Sequence, residues 1–98
     1  MYAVGRRQGG RLALVFARPN ARTFPRLGVT ATRKVGGAVD RNRAKRRVRE
    51  VFRGWKSLRP GAGVDFVVNV RKAAVGADPR ALRTELMELF DRAARDPA

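Results

Sequence analysis

The 98-residue sequence contains neither cysteine nor histidine. Without cysteine there are no disulfide staples, thiolate nucleophiles or thiolate metal sites. Without histidine there is no imidazole ligand and no imidazole acid–base chemistry near neutral pH. A domain that does without disulfides suits a reducing compartment, and a cytoplasmic location is expected. Long hydrophobic runs are also missing. No apolar stretch approaches the roughly 20 residues needed to span a bilayer. Gly5, Arg6 and Arg7 follow the first residues too closely for the apolar centre of a signal peptide. Lysine is sparse, restricted to Lys34, Lys45, Lys56 and Lys72.

Acidic side chains are the most telling shortage. Eight Asp and Glu stand against 23 Lys and Arg, for a net charge of +15. Such a charge is self-repulsive and attracts polyanions. The excess of arginine favours nucleic acid, because guanidinium binds phosphate bidentately and stacks on bases. A genome rich in G and C would give the same skew. Hydrophobic residues still make up 44% of the chain, enough for a modest core. The length suits one domain, here taken as residues 1–98.

Strand signals come first. In "LALVFA" (12–17), Leu12, Leu14 and Phe16 fall on one face, and "RPNARTFPR" follows as a turn. "LGVTATR" alternates Leu27, Val29 and Ala31 with Gly28, Thr30 and Thr32, the pattern of a half-buried strand. "GVDFVVNVR" places Val64, Phe66, Val68 and Val70 on one face, and "YAVGRRQ" is a further candidate strand. Two helices are expected. One covers roughly 38–56 and stops before Pro60-Gly61. The other begins with Asp78 as N-cap and Pro79 at its first position, with Leu82, Leu86, Leu89, Phe90 and Ala93 inward and Glu88 paired to Arg92. The second helix holds four of the eight acidic residues (Glu85, Glu88, Asp91, Asp96) and reads as scaffold. The order strand, strand, helix, strand, helix gives an α/β two-layer sandwich.

The first helix is unusual. At about 100° per residue, Ala44, Val48, Val51, Phe52 and Trp55 form a buried arc, and Asn42, Arg46, Arg49 and Arg53 a narrow outer stripe. Arg43 and Arg47 take one flank, and Arg41 and Lys45 border the apolar arc. Glu50 is the one acidic residue within the cluster. A merely solvated helix would interleave the two signs. Like charges such as Arg49 and Arg53 repel and call for an external anion. Upstream, "TRKVGGAV" passes through Gly36-Gly37 into the helix, whose first N–H groups can hold phosphate between Arg33 and Lys34. It is not a P-loop, since no Gly-Lys-Ser/Thr is present. A membrane-surface role would expose an arc needed as core. There are no zinc ligands, and no helix pair of the helix-turn-helix type precedes the basic helix.

The stretch 34–50, "KVGGAVDRNRAKRRVRE", resembles the signature of the bacterial ribonuclease P protein subunit: Lys-Val-Gly, a small-residue step, Arg41-Asn42-Arg43, then Lys-Arg and Arg-Glu. The flanks agree over nearly the whole chain. The resemblance implies an α+β fold with a small mixed sheet, the basic helix in a left-handed βαβ crossover, and a C-terminal helix. It implies assistance to a catalytic RNA that removes the 5′ leader of precursor tRNA, with Mg²⁺ held by the RNA and no catalytic group on this chain. The partners implied are that RNA and precursor tRNA, with no membrane and no small-molecule substrate. By position, Arg33, Lys34, Arg41, Asn42, Arg43, Lys45, Arg46, Arg47 and Arg49 would bind RNA, joined by Arg53 of the stripe. Phe16 is a candidate for stacking on a leader base, or else an ordinary core phenylalanine. The family pattern opens with a helix that this chain, starting "MYAVGRR", is expected to lack, through a misassigned start or a real truncation. The rival readings are a non-catalytic ribosomal or other structural RNA-binding protein and a DNA-binding module.

Overall fold

The computed structural model describes residues 6–95. The expectations about an N-terminal helix fall outside the described residues. Strands β1 (Arg6–Gly9), β2 (Ala13–Pro19), β3 (Arg26–Thr30) and β4 (Val64–Val70) form one sheet in the order β1-β2-β4-β3. The β1–β2 and β2–β4 pairs are antiparallel, and β3 pairs parallel with β4. Helix α1 (Ala38–Leu58) makes the connection from β3 to β4, and a 3₁₀ turn at Lys72–Ala74 leads to α2 (Pro79–Arg95). Mixed sheet, basic crossover helix and C-terminal helix all match expectation.

Both helices cover the same face of the sheet, α1 over β3 and β4, α2 over β1 and β2. That face carries Ala13, Val15 and Ala17 of β2 and Val64, Phe66, Val68 and Val70 of β4, all buried. The register of β2 therefore differs from a grouping of Leu12, Leu14 and Phe16. Leu12 is buried in the turn before the strand, while Leu14 and Phe16 are half-buried on the opposite face. Small side chains at Ala13 and Ala17 let α2 pack close to the sheet, so size is a poor guide to which face is core. At the centre, Trp55 of α1, Phe66 of β4 and Phe90 of α2 meet with ring centroids 5.1, 4.8 and 5.9 Å apart. The pairs are edge-on or tilted, the arrangements that aromatic quadrupoles favour.

Local chemistry sets the ends of the elements. The turn before α1 uses Gly36 at φ +151°, a conformation that side chains disfavour. Helix α1 ends as the Arg59 N–H donates back to the Trp55 and Lys56 carbonyls, with Pro60 next. Asp78 caps α2, its Oδ1 accepting from the Arg80 N–H at 2.9 Å. One long-range clamp ties the hairpin to α2. The Glu85 carboxylate accepts from the backbone N–H groups of Arg11, Leu12 and Ala13 at 2.8–2.9 Å. Gly10 permits this approach, since a Cβ there would lie 2.5 Å from the Glu85 carboxyl carbon.

Candidate nucleic-acid interface

Helix α1 presents two surfaces, and its packing explains how. Ala44, Val48 and Trp55 are buried, with Val51 and Phe52 packed half-buried beside them, which seats the helix on the sheet. The Trp55 indole N–H donates to Asp91 Oδ1 at 2.9 Å, and Arg59 Nε donates to the same oxygen at 3.1 Å. That rotation turns Asn42, Arg43, Arg46, Arg49 and Arg53 outward, all exposed. Arg41, Lys45 and Arg47 are half-buried on the flanks, as a 3.6-residue period requires. Arg33 and Lys34 stand exposed in the preceding turn. The structure thus brings all ten expected RNA-binding positions onto one helix and the turn that feeds it.

Counter-charge on this surface is slight. Arg46 pairs with Glu50 at 3.4 Å, so the outer stripe has one internal partner. With both side chains more than half exposed, at 81% and 58%, the pair contributes only about 0.3–0.5 kcal/mol. Among the described residues, Arg43, Arg49 and Arg53 have no carboxylate within ion-pair distance. The Arg41 Nε is enclosed without an acceptor, a side chain held at a cost of about 1–3 kcal/mol with no internal partner to explain it. At the start of α1, the N-cap is Gly37, which offers no side-chain cap. The first turn of α1 carries Asp40, so its N-terminal end joins one carboxylate to the exposed Arg33 and Lys34 of the preceding turn.

A second surface is the sheet face away from the helices. Cross-strand pairing aligns Arg7, Phe16, Val67 and Gly28 in one row, and Gly9, Leu14, Asn69 and Thr30 in the next. Leu14, Phe16 and Val67 form a half-buried apolar strip, with Gly28 leaving its end low. Phe16 is therefore a face residue of the sheet rather than part of the core beneath the helices. The adjoining row, Arg18, Asp65 and Arg26, is polar. Arg26 Nη2 lies 2.6 Å from Asp65 Oδ2, and the Asn20 amide donates to Asp65 Oδ1 at 2.9 Å. The Arg26 hydrogen bond and the Asn20 donor hold the Asp65 carboxyl below the usual carboxylate range, against the opposing effect of its burial.

Sequence reasoning missed two features of this second surface. Leu14 was grouped with the buried Leu12, because alternation alone does not say which face the helices cover. Phe24, 42% exposed with the Arg22 guanidinium 5.7 Å from its ring centre, lies in the turn between β2 and β3. An aromatic beside arginine in a turn was the available signal.

Comparison with known proteins decides what these surfaces belong to. The Ribonuclease P family model matches residues 1–94. The chain belongs to the ribonuclease P protein component family. A relative in Symbiobacterium thermophilum, a ribonuclease P protein component, is 44% identical over 95 residues, covering 95% of this chain and 81% of that protein. One in Citrifermentans bemidjiense is 43% identical over 79 residues, 81% of this chain and 66% of that protein. Among solved structures, the RNase P protein from Thermotoga maritima superposes with a TM-score of 0.83 at 35% identity, over 93% of this chain and 86% of that one. Membership makes this an RNA-binding chain of a tRNA-processing ribonuclease and favours that reading over a ribosomal or DNA-binding one. No helix among the described residues is long and apolar enough to cross a membrane.

Proposed function

We propose that this chain binds the catalytic RNA subunit of ribonuclease P along α1 and the turn before it, and holds the single-stranded leader of precursor tRNA on the sheet face away from the helices. By neutralising phosphates at both places it assists the RNA in cutting off the 5′ leader, in the cytoplasm where tRNA is made. The observation that carries this reading is the division of α1 into a packed apolar arc and an arginine face with almost no internal counter-charge. Arginine supplies planar, bidentate recognition of phosphate there.

The sheet face suits an unpaired strand. Phe16, flanked by Leu14 and Val67, offers a platform for base stacking, and Arg7 and Arg18 supply charge along its sides. The chemistry of cleavage belongs on the RNA. The chain has no histidine or cysteine. Six of the seven described carboxylates are engaged internally: Glu85 by three N–H groups, Asp91 by Trp55 and Arg59, Asp65 by Arg26 and Asn20, Glu88 by Arg92, Glu50 by Arg46, and Asp78 as a cap. The seventh, Asp40, lies in the first turn of α1, and nowhere among the described residues do three metal-ligating side chains gather. These residues do not fit a protein-held Mg²⁺ site, and the metal ions are assigned to the RNA subunit.

The test is cleavage of precursor tRNA by the matching RNA subunit at low Mg²⁺, with and without the chain. Stimulation that disappears at high Mg²⁺ is expected. An RNA equally active alone at low Mg²⁺ would overturn the reading.

A further inference from the structure

Between α1 and α2 runs a groove that the function above leaves unused. Val51, Leu82 and Met87 form its floor, Gly54 opens its α1 wall, and Arg47 and Arg83 stand on its two sides. Its volume, about 270 Å³, is near the lower end for small-ligand sites, about 300–1,000 Å³.

Two features here lack an internal explanation. Gly54 sits inside a 21-residue helix, where glycine is less stable than alanine. A Cβ at that position would meet nothing within 4 Å, so no packing within the chain requires its absence. Arg47 and Arg83, from different helices, have no carboxylate at ion-pair distance among the described residues. Glu50, the one acidic residue lining the groove, pairs with Arg46.

We propose that this groove receives one unpaired nucleotide of the RNA bound along α1. The base lies over Val51, Leu82 and Met87, the phosphate is held between Arg47 and Arg83, and Gly54 admits the sugar edge. An apolar floor between two guanidiniums complements a flat base attached to an anion. It does not complement an apolar protein helix, which would leave both cations desolvated and unpaired. Met87 adds a polarisable thioether suited to aromatic contact. The groove is also continuous with the basic surface, because Arg47 belongs to both. The proposal rests on the RNA-binding reading above and adds Gly54, Met87 and Arg83 to it.

The test measures binding of the full chain to the RNA subunit across a salt series, for wild type, Gly54→Ala, Gly54→Leu, Arg83→Ala and the stripe variant Arg49→Ala/Arg53→Ala. Gly54→Ala should raise Tm by about 4–8 °C, which shows that the site tolerates a side chain. Gly54→Leu, which fills the groove, should weaken RNA binding roughly five- to hundredfold, the range for loss of one stacked base. Arg83→Ala should lower the salt slope by about 0.7–0.9, one phosphate contact. Groove variants that bind like wild type while the stripe variant is weakened would overturn the groove and leave the RNA-binding reading standing. Wild type that fails to bind the RNA would overturn both. If Gly54→Leu changes only self-association in sedimentation without RNA, the occupant is a second copy, and the nucleotide assignment is wrong.

Discussion

Replacing Glu85 by alanine would remove the acceptor from three backbone N–H groups at once, those of Arg11, Leu12 and Ala13. Leu12 and Ala13 are buried, so water can reach their donors only if the hairpin loosens. The expected loss is roughly 2–4 kcal/mol, read as a fall in the urea midpoint, and Glu85→Gln, which keeps a carbonyl acceptor, should lose less. An unchanged midpoint for Glu85→Ala would show that the clamp is dispensable. Asp65 gives a pH-dependent counterpart. Its carboxyl is held below the ordinary range by Arg26 and Asn20, so its stabilising effect is fully present above the unfolded pKa near 4 and fades as pH falls through the lower folded value. The stability gap between wild type and Asp65→Asn should be steady from pH 7 to 5 and close below pH 4. A gap independent of pH would mean that the ion pair is not its source. Neither contact was legible in the sequence, because each joins residues far apart in the chain. Glu85 in particular read as one more exposed acid on a scaffold helix.

At the scale of elements, α1 separates packing from binding in one helix, and the two halves should respond differently to mutation. Arg43→Ala/Arg46→Ala/Arg49→Ala removes exposed guanidiniums, of which only Arg46 has an ion-pair partner among the described residues. RNA affinity should fall at least tenfold while Tm holds or rises slightly, since self-repulsion is relieved. Trp55→Ala removes a fully buried ring and the Asp91 hydrogen bond, and should cost about 3–5 kcal/mol of stability. Equal effects of both on melting would mean that the arginine face is part of the fold. This division was legible in advance, because a 3.6-residue period sorts Val48 and Trp55 from Arg46 and Arg49 whatever lies beneath. The Asp78-Pro79 start of α2 and its inward leucines were legible for the same reason, as local signals. The sheet was less so. In β2 every residue from Ala13 to Ala17 is apolar, so alternation could not say that Ala13 and Val15 face the helices and Phe16 faces outward. That choice is made by α2, which needs small residues beneath it.

Taken whole, the molecule is a small core under a charge of +15, and its cost and its use are the same electrostatic field. In the free chain the arginines of α1 repel one another across a surface with few carboxylates, so screening should help the fold. With bound RNA the same arginines displace counterions, so screening should hurt the complex. Raising NaCl from about 0.05 to 0.5 M, within the range where the Debye length shrinks below the spacing of neighbouring side chains, should therefore raise the Tm of the free chain while lowering RNA affinity. If five or six phosphates of an unpaired strand are neutralised, the log–log slope of affinity against salt should be about −4. Opposite signs in the two measurements would tie both effects to one uncompensated surface. A flat affinity would mean that binding does not run through the arginines. A Tm that falls with salt would mean that ion pairs elsewhere in the fold, such as Arg26–Asp65 between β3 and β4, outweigh the repulsion on α1.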